Sequence, residues 1–589
     1  MTPGDDDGYR VMPEYGSYEA ARERFDWHLL DDYDPAVDLL RKHDPADPAV
    51  HHVHGDAVET HTFGELDERS NRLAGALESL GVSAGDRVGV CIPQRPANPV
   101  THLACWKLGA STVPLTVLFG TDALRYRLDD AEAVALVADT RVRETVEAVR
   151  DDCAALRDVV YVDGVAEGRS THEFDTLLAD GPAAFDPYDS TPETDTAVMY
   201  TSGSTGPPKG VVHSHALWLG RAAAAHNFFE GYAGADTVVW TPADWAWGAA
   251  LGGTLFGAWH HGHPVVAAPR GGFDPECAFS LLADHDVTHA FMPPTALRML
   301  MSVEAPADRF DLSLSVLATA GEPLTPEVLE WVDADLPGVS CNEFYGQTEL
   351  NLAVATRSDW FDPKPGSMGR PLPGYDLAIL DRETRDPLPT GETGEIALHP
   401  GDRRVFFDRY LGKPEATREK TVDLSPDDVA GTDLPAGEWF LTDDLATRDE
   451  DGYVHFVSRA DDVILTSGYR VGPLEVEKAL LEHPAVEQAG VVGLPDETRG
   501  ERIVAFLERV PEGSEGTEGQ AGSSATRGRV PEGTAGSPDD ELREELRTLV
   551  RERLAEYEYP REIRFVEDLP KTSTGKVRRA SLRERETDE

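Results

Sequence analysis

The sequence predicts an α/β protein in which a large N-terminal domain of parallel-rich sheets and helices is joined by a hinge to a small α+β C-terminal domain. Three observations support this prediction. The chain of 589 residues is too long for one compact core. Short apolar runs alternate with amphipathic stretches up to residue 460, and a different order of elements begins at residue 461. Alternating strands and helices favour parallel sheets, which bind ligands at the carboxyl ends of their strands.

The N-terminal elements follow from local patterns. Apolar runs bounded by Gly, Pro or Asp are typical of buried strands. They are RVGVCIP (87–93), TAVMY (196–200), THAFMPP (288–294) and LSVLATA (314–320). In LDERSNRLAGALESLG, four leucines share one helical stripe: Leu66, Leu73, Leu77 and Leu80. We therefore expect residues 1–460 to form one domain.

The C-terminal elements fall within residues 461–589. Helices are predicted for PLEVEKALLEHP and DDELREELRTLVRERLAEY, and strands for QAGVVGLP, RIVAFLERV and REIRFVEDLP. Residues 511–540 interrupt this order with a Gly-, Ser-, Glu- and Thr-rich stretch in which RVPEG occurs twice. Such a polar stretch cannot build a core, so we expect a disordered surface insertion.

The charge and composition of the chain exclude several classes of partner. A formal net charge of −53 with 40% hydrophobic residues describes a folded protein with an acidic surface. Such self-repulsion is most tolerable in concentrated salt, which suggests a halophile. No basic stripe is available for nucleic acid. The 5 cysteines are widely spaced, and neither a signal peptide nor a membrane helix is predicted, so we expect a cytoplasmic protein with reduced thiols.

The stretch YTSGSTGPPKG, residues 200–210, predicts a phosphate-binding loop. It combines glycines, which let backbone N–H groups approach an anion, with Ser and Thr hydroxyls and the ammonium group of Lys209. It is not the loop of P-loop nucleotide triphosphatases, because that lysine follows Gly and precedes Ser or Thr. A plain surface turn is the alternative.

Three further stretches carry groups suited to nucleotide chemistry. In FYGQTE (344–349), Glu349 is a carboxylate of the kind that holds Mg²⁺ beside phosphates. Asp444 and Arg459 bracket a predicted hairpin with the turn DEDG, and a carboxylate there suits a ribose diol. LPKTSTGKVRR places Lys571 and Lys576 in a Gly/Ser/Thr loop. Each stretch also has an ordinary alternative: a solvated carboxylate, a surface ion pair or a basic tail.

Taken together and in this order, the stretches resemble the AMP-forming acyl-CoA synthetase family, within the superfamily that includes firefly luciferase and peptide-synthetase adenylation domains. The resemblance extends over roughly residues 35–585 and is closest to the medium-chain branch. It implies ATP, Mg²⁺ and coenzyme A as cofactor and cosubstrates and a small carboxylic acid as substrate. It leaves the oligomeric state open.

The resemblance implies a role for each matching residue. For nucleotide binding these are Thr201, Ser202, Gly203, Ser204, Thr205, Gly206, Lys209, Gly321, Glu322, Pro323, Tyr345, Asp444 and Arg459. For catalysis they are Lys576, Thr348 at the α-phosphate and Glu349 at the Mg²⁺ ion. For the hinge and coenzyme A they are Asp461, Gly468, Tyr469 and Arg470. Rotation about Asp461 would withdraw Lys576 after adenylation and present the 468–470 segment for thioester formation.

The acid is predicted from the expected pocket residues, Trp245, Trp247 and Gly346. Acetate-specific members of the family have a tryptophan at the position of Gly346, so a deeper pocket is expected here, and we favour short-branched or medium-chain fatty acids over acetate. Aromatic acids, a non-CoA adenylating enzyme and a nucleotide-binding protein without catalysis are the alternatives.

The chain departs from the family pattern at two places. TDD replaces the usual TGD, so Asp443 stands where glycine is usual and is expected to point outward. QTELN replaces the usual QTETG, which brings Leu350 and Asn351 near the expected magnesium site. The histidine-rich HHVH (51–54) and WHHGH (259–263) predict no metal site, because the sequence fixes no third ligand for them.

Overall fold

The computed structural model describes residues 9–55, 57–164, 168, 170–201, 207–232, 236–269, 272–322, 324–460, 462–466, 469–496, 499–510, 538–554, 558–571 and 576–584. These residues form two compact units. The first contains residues 1–442 and 447–456, and the second contains residues 443–446 and 457–589. The units therefore divide within one hairpin, a few residues before the predicted boundary at 460/461.

The strands are β1 Pro48–His54, β2 Ala57–Thr62, β3 Arg87–Cys91, β4 Ser111–Pro114, β5 Ala135–Asp139, β6 Asp158–Val162, β7 Thr171–Glu173, β8 Asp195–Thr201, β9 Lys209–Ser214, β10 Val239–Trp240, β11 Val265–Ala267, β12 His289–Phe291, β13 Val316–Ala320, β14 Ser340–Gly346, β15 Leu352–Ala355, β16 Arg370–Pro371, β17 Tyr375–Leu380, β18 Gly394–Pro400, β19 Arg409–Tyr410, β20 Thr421–Leu424, β21 Gly437–Arg448, β22 Val454–Arg459, β23 Ile464–Thr466, β24 Tyr469–Val471, β25 Val486–Asp496, β26 Gly500–Arg509 and β27 Glu562–Phe565.

The α-helices are α1 Tyr18–Arg24, α2 Pro35–Leu40, α3 Phe63–Ser79, α4 Ala97–Lys107, α5 Thr121–Asp130, α6 Arg143–Val149, α7 Phe174–Asp180, α8 Ala216–Phe228, α9 Gly257–His260, α10 Pro275–Asp284, α11 Pro294–Leu300, α12 Pro306–Arg309, α13 Pro326–Asp335, α14 Pro414–Glu419, α15 Pro473–Leu481, α16 Pro538–Arg553 and α17 Arg579–Glu584. Short 3₁₀ turns cover Thr140–Val142, Arg150–Asp152, Glu230–Tyr232 and Arg403–Val405, and a π-helix covers Ala249–Phe256.

The predicted α/β architecture with parallel-rich sheets is confirmed. A nine-stranded sheet has the order β16-β15-β14-β13-β12-β10-β11-β1-β2, and an eight-stranded sheet has the order β19-β9-β8-β4-β3-β5-β6-β7. The inner pairs of both sheets are parallel, as in β12–β13–β14 and β4–β3–β5. The parallel strands β8, β13 and β14 end at the segments that carry the candidate site, as expected for such sheets.

Two helices of the N-terminal unit lie in its interior. Every residue of α4 and of α8 is buried, so neither helix has a face exposed to solvent. Trp106 of α4 and Trp218 of α8 pack against each other and against Phe256, with ring centroids 4.9 to 5.1 Å apart. Lys107 at the end of α4 donates to the Asp67 carboxylate at 2.7 Å, and burial lowers its pKa to about 8.

The second unit contains a five-stranded sheet in the order β24-β23-β26-β25, with β27 beside β26. Helices α15 and α16 contribute Val476, Leu480, Leu546 and Val550 to its core. The helices and strands predicted for residues 473–510 and 538–565 are therefore confirmed. Helix α16 begins at Pro538, so the last three residues of the predicted 511–540 insertion belong to a helix; residues 511–537 lie outside the described residues. Within the described part of the chain, no helix has the length and hydrophobicity needed to span a bilayer.

Candidate active site

The predicted phosphate loop connects two antiparallel strands. Strand β8 ends at Thr201 and β9 begins at Lys209, and these two residues are register partners. Both therefore stand at the open end of the strand pair, on either side of the loop. The other predicted loop residues, namely Ser202, Gly203, Ser204, Thr205 and Gly206, lie outside the described residues.

A tyrosine that the sequence reasoning missed links two of the predicted residues. Strand β19 pairs with β9 and places Tyr410 opposite Val211. The Tyr410 hydroxyl donates to Oε1 of Glu349 at 2.7 Å, and Nζ of Lys209 lies 5.1 Å from the centroid of the Tyr410 ring. We name these three residues the Lys209–Tyr410–Glu349 cluster. Its members come from segments 61 or more residues apart, and the single tyrosine in FDRYLG gives no local signal of this pairing.

Glu349 fits the role of a Mg²⁺ ligand. The residue is 8% exposed, and one carboxylate oxygen is positioned by a neutral phenol. No lysine or arginine of the described residues pairs with it, so its negative charge is not already neutralised. An anionic oxygen held in this way is the type of ligand that Mg²⁺ takes beside phosphate.

A cavity is lined by residues that are close in sequence to this cluster. Its wall includes Tyr200, which precedes the phosphate loop, and Thr348, which precedes Glu349. The remaining lining residues are Pro114, Thr116, Phe119, Arg127, Met199, Ala246, Trp247 and Gly248. Thr348 and Trp247, both predicted site residues, are thus brought together, whereas Trp245 is only 1% exposed and belongs to the core.

The loop that carries Trp247 is held by Asp244. Its carboxylate accepts hydrogen bonds from the Thr116 hydroxyl at 2.5 Å and from the backbone N–H of Ala246 at 2.9 Å, and burial raises its pKa. The π-helix begins directly after Gly248. Such wide turns are rare and are frequently found at functional sites.

Arg221 is a buried cation behind the cavity wall. It is 2% exposed, and burial lowers its pKa to about 10. Its Nε and Nη2 atoms have no hydrogen-bond partner among the described residues. A Cβ added to Gly248 would lie 3.0 Å from Arg221 Nη2, and one added to Gly252 would lie 2.7 Å from Arg221 Cδ. The two glycines therefore allow the close approach of Arg221. The signal was present in the sequence, as a lone charge within the apolar segment ALWLGRAAAA.

A second cation, Arg127 of α5, was also missed by the sequence reasoning. It lines the cavity, and its guanidinium lies 4.2 Å from the centroid of the Phe119 ring and 5.7 Å from that of Tyr200. Burial lowers the pKa of Arg127. The cavity is thus bordered by positive charge, which suits an anionic or phosphorylated ligand.

The predicted adenine residues lie at the ends of neighbouring parallel strands. Strand β13 leads to Gly321, whose φ is +99°, and β14 carries Tyr345, which is 9% exposed. The Glu322 carboxylate accepts from the Thr295 hydroxyl and from Arg298 at 2.8 Å. The side chain of Glu322 is thereby engaged within the protein. Pro323 lies outside the described residues.

The expected deep pocket at Gly346 stays a prediction, and the surroundings of this glycine are closely packed. Gly346 does not line the cavity, and a Cβ placed there would lie 2.7 Å from the Asn351 carbonyl oxygen and 2.9 Å from Cδ2 of Leu352. The space is filled by the chain that follows, in which Asn351 is buried and donates to the Val405 carbonyl. A larger residue at position 346 requires the 351–352 backbone to move.

The second unit contains the predicted ribose-binding pair. In the hairpin of β21 and β22, Nη1 of Arg459 lies 3.1 Å from Oδ1 of the buried Asp444. The outward orientation expected for Asp443 stays a prediction: its side chain is 36% exposed, and its Oδ2 lies 3.9 Å from Nη2 of Arg459. Its φ of +58° explains why glycine suits this position.

A buried ion-pair network lies beside the predicted hinge. The Asp462 carboxylate pairs with Arg579 at 3.1 Å and with Arg583 at 3.0 Å, and Arg579 also pairs with Glu477 at 2.7 Å. Burial raises the pKa of Glu477 against the attraction of Arg579. We name these four residues the Asp462 network. Lys576 is exposed and stands three residues before Arg579.

The other predicted residues of this unit are only partly described. Asp461 and Gly468 lie outside the described residues. Tyr469 and Arg470 belong to β24, which pairs antiparallel with β23 so that Tyr469 lies opposite Thr466.

Several known proteins are similar to this chain over most of its length. The family described as AMP-binding enzyme matches residues 40–401, and the AMP-binding enzyme C-terminal domain matches residues 475–576. The mitochondrial acyl-coenzyme A synthetase ACSM4 of Rattus norvegicus is 34% identical over 92% of this chain and 87% of its own length. The acetyl-coenzyme A synthetase of Bacillus subtilis is also 34% identical, over 89% and 85% of the two chains. The crystal structure of the anthranilate CoA ligase AuaEII with anthranoyl-AMP has a TM-score of 0.78 at 26% identity and covers 95% of this chain and 98% of that chain.

Proposed function

Because this chain belongs to the AMP-binding enzyme family, we propose that it joins a carboxylic acid to coenzyme A through an acyl-AMP intermediate, consuming ATP and releasing AMP and pyrophosphate. The observation that carries the proposal is the Lys209–Tyr410–Glu349 cluster beside a cavity that Thr348 and Tyr200 line. A cation and a carboxylate beside a cavity, at the end of the predicted phosphate loop, support this reaction.

In the first half-reaction, the acid's carboxylate oxygen attacks the α-phosphorus of ATP. An acyl O–P bond forms and the bond to the β-phosphate oxygen breaks, so that pyrophosphate leaves. Lys209 and the loop from Thr201 to Gly206 hold the β- and γ-phosphates, and Thr348 donates to the α-phosphate. Glu349 would hold Mg²⁺, which supplies charge neutralisation to the leaving pyrophosphate when bound. Such positioning and neutralisation account for most catalysis of phosphorus–oxygen displacement.

The nucleoside part is assigned to five further residues. Gly321, Pro323 and Tyr345 border the adenine, and Asp444 accepts from the ribose hydroxyls while Arg459 fixes its carboxylate. We assign Glu322 only a backbone contact, because its carboxylate is engaged by Arg298.

The second half-reaction uses the C-terminal domain, which we place at residues 461–589 with its hinge at Asp461. Lys576 neutralises the acid and the α-phosphate during adenylation, and the 468–470 segment borders the coenzyme A thiol afterwards. The Asp462 network supports these two roles of the C-terminal domain. It ties the residue after the hinge to the helix after Lys576, so a rotation about Asp461 carries Lys576 with it.

For the acid, we propose a short-branched or medium-chain fatty acid. Support comes from the small residues Ala246 and Gly248 in the cavity wall rather than from Gly346. Acetate is the alternative, since the acetyl-coenzyme A synthetase of Bacillus subtilis is as similar to this chain as the acyl-coenzyme A synthetase ACSM4 is. Arg221 behind Gly248 adds a reason to test acids with a polar or charged far end.

The test is acid-dependent release of pyrophosphate in molar KCl with ATP and Mg²⁺, with and without coenzyme A. The panel runs from acetate to decanoate and includes branched, aromatic and dicarboxylic acids. Turnover that needs coenzyme A and peaks at branched or medium chains supports both parts of the proposal. A peak at acetate supports the proposed reaction but contradicts the proposed fatty-acid substrate. Release without any need for coenzyme A indicates another adenylating enzyme, and no release with any acid rejects the reaction. Glu349→Gln is the inactive control.

We also propose a cytoplasmic location in a salt-rich cell, on the strength of the net charge of −53. Salt screens the mutual repulsion of surface carboxylates and therefore stabilises the fold. The midpoint of thermal unfolding should rise from low to molar KCl. A midpoint that stays level or falls contradicts the proposed adaptation.

A further inference from the structure

The hairpin of β1 and β2 brings together three side chains that are separate in the sequence. The strands are antiparallel, with His52 opposite Glu59 and Val50 opposite His61. Residues directly opposite each other and two positions apart share one face of a sheet. His52, Glu59 and His61 therefore point to the same side of the hairpin, which forms one edge of the nine-stranded sheet.

These side chains are close enough to share one ion. One ligand atom from each of the three lies within 4.8 Å of the other two, and His61 Nε2 lies 3.7 Å from Glu59 Oε2. Ligands of a tetrahedral zinc ion stand about 3.4 Å apart, given bonds of about 2.0 to 2.1 Å. Small side-chain rotations are enough to close the difference.

The two imidazoles are buried and only partly satisfied by the residues that the structure describes. His52 is 8% and His61 is 5% exposed, and Nε2 of each has no hydrogen-bond partner among the described residues. Buried polar atoms without a partner are uncommon and call for an explanation such as an ion. Glu59 is exposed, so the cluster is open to solvent on that side.

The surrounding charges leave the imidazoles in the form that binds metals. Burial lowers the pKa of His52 to about 4 and also lowers that of His61, so both rings are neutral at neutral pH. Arg95 and Arg69 add positive charge nearby and Glu65 adds negative charge. Neutral imidazole nitrogens and a carboxylate are the ligands found in two-histidine, one-carboxylate metal sites.

We propose that His52, Glu59 and His61 bind one divalent transition-metal ion, with Zn²⁺ as the best fit, and leave its fourth position to water. The ion would link the edge strand β2 to β1. This site is separate in composition from the one assigned to Mg²⁺, which uses Glu349. If confirmed, it would revise the sequence-based expectation for HHVH, because the third ligand comes from across the hairpin and His54 is not needed. The other histidine-rich segment is different: His260 is engaged by the Asp38 carboxylate at 2.8 Å.

The experiment is titration of the untagged, chelator-treated protein with Zn²⁺ in the absence of ATP and Mg²⁺. Equilibrium dialysis gives the stoichiometry, and Co²⁺ in place of Zn²⁺ gives a visible spectrum that reports coordination number. We expect one tightly bound ion per chain, a spectrum of low coordination number, and a higher unfolding midpoint with Zn²⁺.

Three variants make the test specific. Glu59→Gln alters an exposed side chain and should fold normally, and it should weaken binding by about tenfold or more. His61→Asn should abolish stoichiometric binding. His51→Asn is the matched control, because His51 lies on the other face of β1, where it contacts the Thr60 hydroxyl at 3.0 Å; its affinity should match that of the wild type. The proposal is overturned if the wild type binds no ion stoichiometrically, or if Glu59→Gln and His51→Asn bind alike.

Discussion

The charged residues assigned a function are arranged differently in the two units. In the N-terminal unit, Lys209 and Glu349 are each held by Tyr410, one at its ring and the other at its hydroxyl. Among the described residues neither forms an ion pair. In the C-terminal unit, Asp462, Glu477, Arg579 and Arg583 neutralise one another in a connected network.

The difference indicates what each set of charges does. Charges that are positioned by an aromatic side chain keep their full attraction for a ligand, as a phosphate site requires. Charges that are paired and partly buried have little left for a ligand but fix the elements that carry them. We therefore interpret the first set as binding groups and the second as the means by which the C-terminal unit moves as one body.

The largest expected effect comes from Lys576, the exposed lysine of the C-terminal unit. Lys576→Ala should reduce acyl-AMP formation by about a thousandfold, because the lysine neutralises charge that develops in that step. Thioester formation from supplied acyl-AMP should continue near the wild-type rate. The two half-reactions are measured separately, by pyrophosphate release and by acyl-CoA formation. An equal loss of both steps would mean that Lys576 does not act in adenylation alone.

Breaking the Asp462 network should have the next largest effect, on the free energy of unfolding. Arg579→Met leaves Glu477 buried without its cation, which costs roughly 3 to 5 kcal/mol. Arg583→Met is the matched control, because Arg583 is 31% exposed and its pair contributes about 1 kcal/mol or less. Denaturant unfolding followed in the C-terminal unit measures both. Equal losses for the two variants would remove the distinction between the buried Arg579 and the more exposed Arg583 within the network.

The same variant gives a pH dependence with a definite sign. Folding raises the pKa of Glu477, so the folded protein holds this proton more tightly than the unfolded chain does. The associated stability is present at low pH and is lost as the pH rises through the folded pKa. Arg579→Met raises that pKa further, so its deficit should be smaller in acidic than in neutral buffer. A deficit independent of pH would contradict the assignment to Glu477.

A smaller effect is expected where Tyr410 positions Glu349. Tyr410→Phe keeps the ring beside Lys209 and removes one hydrogen bond to a carboxylate, worth about 1.5 kcal/mol or more. We expect about a tenfold lower kcat/KM for ATP at limiting Mg²⁺ and partial recovery at high Mg²⁺. Tyr126→Phe is the control, since its hydroxyl donates to the Pro208 carbonyl near the same loop. A loss unaffected by Mg²⁺ would separate Tyr410 from the metal ligand.

The smallest effect is expected at Asp443. Asp443→Gly relieves a left-handed backbone conformation, which favours the variant by about 0.5 to 1 kcal/mol, and the contact to Arg459 that it removes is long, at 3.9 Å. The midpoint of unfolding should therefore stay level or rise slightly, with the KM for ATP little changed. A large rise in the KM for ATP would show that Asp443 takes part in ribose binding.

The sequence was sufficient for features that are local along the chain. The strands at residues 87–91 and 316–320, the leucine stripe of α3 and the hairpin turn DEDG all follow from patterns within a few residues. The family resemblance added the order of the motifs. Both kinds of information depend on neighbouring residues, which fix local conformation strongly.

The remaining features depend on contacts between distant segments. Tyr410 reaches Glu349 only because β19 pairs with β9, across about two hundred residues. The space at Gly346 is filled by Leu352, which no pattern indicates. His61 completes a cluster with His52 because the β1–β2 hairpin has one particular register. A one-residue slip would have placed these side chains on opposite faces.

Activation of the acid as an acyl-adenylate can be followed directly with an oxygen label. The preferred acid, labelled with ¹⁸O in its carboxylate, is incubated with ATP, Mg²⁺, coenzyme A and the enzyme, and the products are analysed by mass spectrometry. Attack on the α-phosphorus transfers one labelled oxygen to AMP, which is the result we predict. Label in inorganic phosphate or pyrophosphate, or AMP without label, would contradict activation as an acyl-adenylate.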